Sequence, residues 1–258
     1  MSSTILFTAG AKGGSGKSTA ARFLVTYLRE HGADPFLMDL DDENRTFSRF
    51  FPEARSVPIK KKSSHDVLVH NALSGNYPLI LADLKAGTGR EVLEWFLDVP
   101  FEELRANQVT FVCIGSITSS PDSVQSFLNW VGELRDQVSY LVFKNLKDGE
   151  TLPDYEDTHE AIEFRKTLNP SHVTIPRLDE EYQTELERLN LTISELIDSD
   201  QLQQGLSARG KPLGDILPQL LVRARLRNFQ RRIYQQLDDA SHLFFPAQGQ
   251  KGKGIAHG

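Results

Sequence analysis

The chain has 258 residues, 39% of them hydrophobic, a single cysteine and a formal net charge of -6. That length allows one sizeable α/β domain with a small appendage, and the negative balance argues against a protein that coats nucleic acid through overall charge, although a local basic patch stays possible. Cys113 has no partner for a disulfide or a metal cluster, and a basic start followed by an apolar run is missing, as is any stretch near the roughly 20 apolar residues a membrane span needs, so the expectation is a soluble, cytoplasmic protein.

Residues 4–19, TILFTAGAKGGSGKST, lead from a short apolar run into a glycine-rich turn. Gly13, Gly14 and Gly16 let the backbone curl until the NH groups around Ser15 point inward, and a helix opening near Lys17 aims its positive end at the same spot. Lys17 then reaches the outer phosphates of a nucleoside triphosphate, the Ser18 hydroxyl ligates Mg²⁺, and Thr19 completes the cradle. Ala11 stands where the general pattern GxxxxGK[ST] has glycine, so the loop reads KGGxGK[ST] with a second lysine, Lys12. Apolar residues Ala20, Phe23, Leu24, Tyr27 and Leu28 give helical spacing over 17–31, and Gly32 closes that helix.

PFLMDL at 35–40 reads as a buried strand running into an acidic cluster, Asp39, Asp41, Asp42 and Glu43. Ligands of open parallel sheets sit beyond the carboxyl ends of strands, which puts these acids opposite the loop. Residues 44–62 show no clean period and read as a mobile connection with a first switch region, its lysines at 60–62 a solvated edge. A short helix over 64–74 turns Val67, Leu68 and Ala72 inward and stops at Gly75. PLILADL at 78–84 is a continuous apolar strand that ends on Asp83 and looks like Walker B, a carboxylate able to hold Mg²⁺ beside the phosphate loop. Gly87 and Gly89 supply the freedom a second switch needs.

Strand and helix pairs follow at 109–117 with 121–136 and at 138–145 with 157–168, then a strand at 172–176, and Cys113 falls inside the apolar VTFVCIG. This alternation predicts a mostly parallel sheet covered on both faces, a three-layer α/β fold with added C-terminal helices. Leu178, Tyr182, Leu186, Leu189, Ile193 and Leu196 predict one long helix over 178–197. Val222, Leu226, Phe229, Ile233 and Leu237 predict another over 215–239, with a loop at 203–214 between them. On the second helix Arg223, Arg225, Arg227, Arg231 and Arg232 flank the seam and suggest a polyanion such as DNA, or else pairing with the acidic stretch 148–200; lipid ranks below DNA because the seam is narrow. A disordered tail is expected over 247–258.

The loop with its early lysine resembles the deviant Walker A loop of the ParA/MinD family of P-loop ATPases, well over residues 4–90 and by topology alone to 176. The resemblance implies an ATPase core over 1–177, with a helical part at 178–246 packed on it. It also implies a homodimer formed around ATP and Mg²⁺, in which Lys12 reaches the partner's nucleotide, and an Asp-x-Asp whose second member, Asp41, positions the attacking water. Asn145 and the backbone near Pro176 would then lie at adenine. Lys85 departs from the proline more usual in the family. Hydrolysis, stimulated by an unknown protein, would reset the dimer as it positions or moves a cargo such as a plasmid or a conjugation complex. Two other readings stay open, a P-loop small-molecule kinase or ATP-dependent ligase, which usually lacks the early lysine, and an adaptor that senses ATP without hydrolysing it. An electron-transfer relative needs cluster cysteines, which the lone Cys113 excludes.

Overall fold

Apolar runs such as TILFTA and PLILAD have side chains fit for burial on both faces of a strand, which only the interior of a helix-covered parallel sheet provides. The computed structural model describes residues 2–10, 12–41, 45–57, 62–84, 89–197 and 220–245. Its strands are β1 Ser3–Ala9, β2 Phe36–Asp39, β3 Arg55–Ser56, β4 Leu79–Asp83, β5 Val109–Ile117, β6 Ser139–Asn145 and β7 Ser171–Ile175. All pair in parallel in the order β3-β2-β4-β1-β5-β6-β7. From β1 the chain passes outward to β2 and the edge strand β3, returns to β4 between β2 and β1, and then crosses to β5 on the other side of β1. The carboxyl ends of β1, β4 and β5 therefore meet where the winding reverses, the place where such sheets bind ligands.

Alternate residues feed two cores. Leu6, Leu81, Ile114 and Phe143 face the layer of α1 (Lys17–Glu30), α9 (Glu180–Leu189), α10 (Ile193–Ile197) and α11 (Leu220–Asp239). Ile5, Phe7, Ile80, Cys113 and Val142 face the layer that includes α3 (Asp66–Leu73), α4 (Gly89–Leu97), α5 (Phe101–Ala106), α6 (Pro121–Leu134) and α8 (His159–Leu168). Cys113 is fully buried, and burial pushes its thiol well above the ordinary range, as expected of an inert core residue. At Gly115 an added Cβ would run into the ring of Phe127, so α6 sits close over β5 only because that residue has no side chain. Among the described residues no helix is long and apolar enough to cross a membrane.

Four expectations change. The helix over 178–197 is two helices, because Asn190 takes a left-handed turn (φ 54°) and the Leu191 N–H bonds back to the Leu186 carbonyl at 3.0 Å. Thr192 and Glu195 then form a reciprocal cap, the Glu195 Oε2 accepting the Thr192 N–H at 2.8 Å and the Thr192 Oγ1 accepting the Glu195 N–H at 3.3 Å. The seam nevertheless stays buried from Tyr182 to Leu196. The connection at 44–62 holds a helix, α2 (Thr46–Phe50), and the two-residue β3, elements too short to show a period, with Phe47, Phe50 and Phe51 buried. The helix over 157–168 begins at His159, after a single turn α7 at Pro153–Glu156, and that over 121–136 gives way to a tighter turn at Arg135–Gln137. Residues 90–106 carried no predicted element and hold the rest of α4, which opens on Gly89, and α5. The loop at 203–214, the start of the second C-terminal helix at 215–219 and the tail at 247–258 lie outside the described residues.

The last helix has a further task. Gln236 of α11 accepts the Thr174 N–H at 2.7 Å and donates to the Thr174 carbonyl at 3.2 Å, so one side-chain amide pairs with the backbone of edge strand β7 as a neighbouring strand would. Leu226, Ile233 and Leu237 are buried beneath the same helix, with Phe229 packed beside them.

Candidate nucleotide-binding site

The turn between β1 and α1 needs left-handed backbone at Gly10, Gly14 and Gly16 (φ 108°, 74° and 98°), which glycine adopts without strain. Gly16 is also a close approach: a Cβ there would collide with Asn145 Nδ2 and lie 3.2 Å from Ser116 Oγ. Those two groups, at the ends of β6 and β5, both donate to the Ser15 carbonyl, at 3.4 and 2.9 Å. The loop thus rests on the ends of β5 and β6 by its Ser15 carbonyl.

Lys17 is buried, and its Nζ donates to the Lys12 carbonyl at 3.0 Å, closing the loop on itself. Burial lowers its affinity for a proton, while Asp83 and Asp41 pull it back up, which places both carboxylates within electrostatic reach of the ammonium. The Ser18 hydroxyl donates to Asp83 Oδ2 at 2.7 Å and the Thr8 hydroxyl to Oδ1 at 2.8 Å, Thr8 itself accepting the Leu84 N–H at 2.8 Å. Burial raises the Asp83 carboxyl to about 6; the hydrogen bonds from Ser18 and Thr8 oppose that, and neighbouring Asp39 adds to it. Ser18 and Asp83 are hard oxygen donors side by side, the chemistry Mg²⁺ prefers. No group of three or more His, Cys, Asp or Glu that could hold a metal occurs among the described residues, so a cation here would take its other ligands from water and phosphate, as Mg²⁺ does.

Asp41 lies just past β2, its N–H donating to Asp39 Oδ1 at 3.0 Å. The Lys12 side chain pairs at 3.1 Å with Asp122 in the first turn of α6, both side chains well exposed. Gly13 has open space around it and an ordinary φ, so the fold itself does not demand glycine there. Thr19, Asn145 and Pro176 share the wall of one cleft, which continues between Phe23, Leu186 and Phe229. Asn145 Oδ1 also accepts the Lys147 N–H at 3.3 Å. Asp42, Glu43, Lys60, Lys61, Lys85 and Gly87 lie outside the described residues, and Gly89 opens α4.

Sequence reading missed Thr8, Ser116, Ser48 and Arg22. The first two carried one signal, a hydroxyl near the carboxyl end of a central parallel strand. Arg22 carried none. Its guanidinium donates to Thr19 Oγ1 at 3.0 Å, pairs with Glu187 of α9 at 2.9 Å and lies 3.9 Å over the Phe50 ring of α2, joining the phosphate-loop helix to both neighbours. On α11, Arg225, Arg227, Arg231 and Arg232 are exposed and Arg223 is half-buried. Arg225 donates to the Tyr182 hydroxyl at 3.4 Å and Arg231 to Asn228 at 3.0 Å.

Residues 4–78 match the family model described as ATPase MipZ. A comparison with curated proteins gives no match. Among solved structures, the MinD cell division protein of Aquifex aeolicus is 16% identical, with 83% of this chain and 99% of that one covered and a TM-score of 0.51, a likeness of fold. The MinC:MinD cell division protein complex of the same organism gives 15% identity, 82% and 98% coverage and a TM-score of 0.49. An ATP complex of McdA from Cyanothece gives 16%, 82% and 98%, and 0.41.

Proposed function

We propose that this chain, whose residues 4–78 match the ATPase MipZ model, is a ParA/MinD-like P-loop ATPase that binds ATP with Mg²⁺ at Gly13–Thr19, dimerises around the nucleotide and hydrolyses it to reset a switch that positions or transfers DNA or another cargo. The observation that carries this reading is the hydrogen bond from the half-buried Ser18 to the buried Asp83 within electrostatic reach of Lys17, with Asp41 in reach of the same ammonium. Ser18 and Asp83 would hold Mg²⁺, whose positive charge would offset the charge that develops during phosphoryl transfer. Lys17 would hold the outer phosphates, Asp41 would orient the attacking water, and Asn145 and Pro176 would border the base in the cleft they share with Thr19. Lys12 suits an exchange of partners: an exposed ion pair such as that with Asp122 is worth about 0–1 kcal/mol, little enough for a second protomer's phosphates to displace it.

Light scattering with and without ATP tests the dimer. Lys12→Ala should bind nucleotide and stay monomeric, whereas Asp41→Ala should bind, dimerise and fail to hydrolyse. A wild-type protein that stays monomeric with ATP, and turns it over only in the presence of a small-molecule acceptor, would replace this reading by a kinase.

The exposed arginines of α11 support DNA as the polyanion. Two such faces joined in an ATP-bound dimer would strengthen binding by about 10²–10⁴-fold over one. Affinity for arbitrary duplex DNA should then require ATP and fall with salt at a log-log slope of roughly -0.9 per phosphate contact. Arg225, Arg227 and Arg231 changed together to Glu should abolish it and spare ATP hydrolysis, as gel shifts and a phosphate-release assay would report. Failure of wild type to bind at low salt with ATP would leave these arginines as surface charge.

A further inference from the structure

The end of β2 holds a carboxylate that the proposed chemistry does not use. Asp39 is fully buried and stands in register with Asp83 on the adjacent strand β4, so two acidic side chains occupy neighbouring positions in the interior. Burying a second carboxylate beside the first is unfavourable unless hydrogen bonds compensate it. Asp39 has three: Oδ1 accepts the Asp41 N–H at 3.0 Å, and Oδ2 accepts both the Ser48 N–H at 2.8 Å and the Ser48 hydroxyl. One side chain therefore ties Asp41, just past β2, to Ser48 in the helix α2.

That helix is itself fixed. Phe47 and Phe50 of α2 are buried in the core shared with α1, Phe50 lies beneath the Arg22 guanidinium, and Arg49 donates to Asn190 Oδ1 at 2.9 Å. With α2 anchored, the Ser48–Asp39 tie holds the Asp39 carboxylate in one orientation, and that orientation holds the Asp41 backbone. From this arrangement we propose that Asp39 and Ser48 are positioning residues that hold Asp41 in place beside Lys17. The inference rests on the ATPase reading for its catalytic consequence and on geometry alone for the tie.

Two measurements separate those parts. Hydrogen exchange in the nucleotide-free protein reads the tie: Ser48→Ala removes one charge-assisted hydrogen bond, so the Asp41 amide should exchange about tenfold faster, Ser48→Thr should restore it, and amides in the middle of α1 should not change. Steady-state ATP hydrolysis reads the consequence: kcat should fall about tenfold in Ser48→Ala and further in Asp39→Asn, with KM for ATP unchanged and Ser48→Thr near wild type. Unchanged Asp41 exchange and unchanged kcat in Ser48→Ala would overturn the proposal, as would a rise in KM alone, which is what a loosened nucleotide pocket gives. Faster exchange that Ser48→Thr reverses, in a protein without ATP hydrolysis, would support the tie and overturn the ATPase reading instead.

Discussion

Lys17→Ala should fold and bind ATP at least tenfold more weakly than the wild type. The ammonium is nearly enclosed, with its Nζ on the Lys12 carbonyl at 3.0 Å, and two carboxylates, Asp83 and Asp41, are near enough to offset part of the burial that lowers its affinity for a proton. A charge-assisted contact to phosphate is worth about 1.5–3 kcal/mol, which is roughly 10-fold to 150-fold in affinity. The alanine leaves the turn intact, because its left-handed residues are Gly10, Gly14 and Gly16 and the Ser15 carbonyl stays held by Ser116 and Asn145. Titration calorimetry on the folded variant decides the matter. Unchanged affinity would mean that the phosphates bind elsewhere.

Asp83→Asn should do the opposite to stability and to ligand binding. The carboxyl is raised from 3.8 to about 6 in the folded protein, chiefly by burial. A raised carboxyl binds its proton more tightly folded than unfolded, so it disfavours folding progressively as pH climbs from about 4 through 6, and near neutral pH the whole penalty, about 3 kcal/mol, is present. The amide avoids that cost. It can still accept from the Thr8 hydroxyl and can donate to the Ser18 oxygen, the two partners the carboxylate has now at 2.8 and 2.7 Å. The nucleotide-free variant should therefore melt roughly 6–12 °C higher at pH 7, with little difference at pH 4. The same change should weaken ATP binding in the presence of Mg²⁺, since the site loses its anionic oxygen. Calorimetric melts at the two pH values, together with ATP titrations with and without Mg²⁺, test both halves. A lower melting temperature at pH 7 would show that the hydrogen bonds to the carboxylate outweigh its burial.

The sequence by itself determined the features whose cause is local. Strand and helix alternation and the apolar runs set a parallel, helix-covered sheet. Glycines around Lys17 marked the loop, and at Gly14 and Gly16 the reason is the left-handed backbone that glycine adopts without strain. Asp83 could be found because it ends an apolar run, and the seams of the C-terminal helices because burial follows helical period. The Thr192-Ile-Ser-Glu195 cap was also present in the residues, though the unbroken seam hid the turn at Asn190. Tertiary structure alone decided what depends on distant segments meeting. The brace of Ser116 and Asn145 under Ser15, the Arg22 junction with Glu187 and Phe50, the Gln236 amide on edge strand β7 and the tie from Asp39 to Ser48 each join side chains whose pairing no spacing encodes. Hydrogen bonds of this kind are fixed by where the sheet order brings strand ends together, and that order emerges from the packing of the whole core rather than from any one stretch of chain.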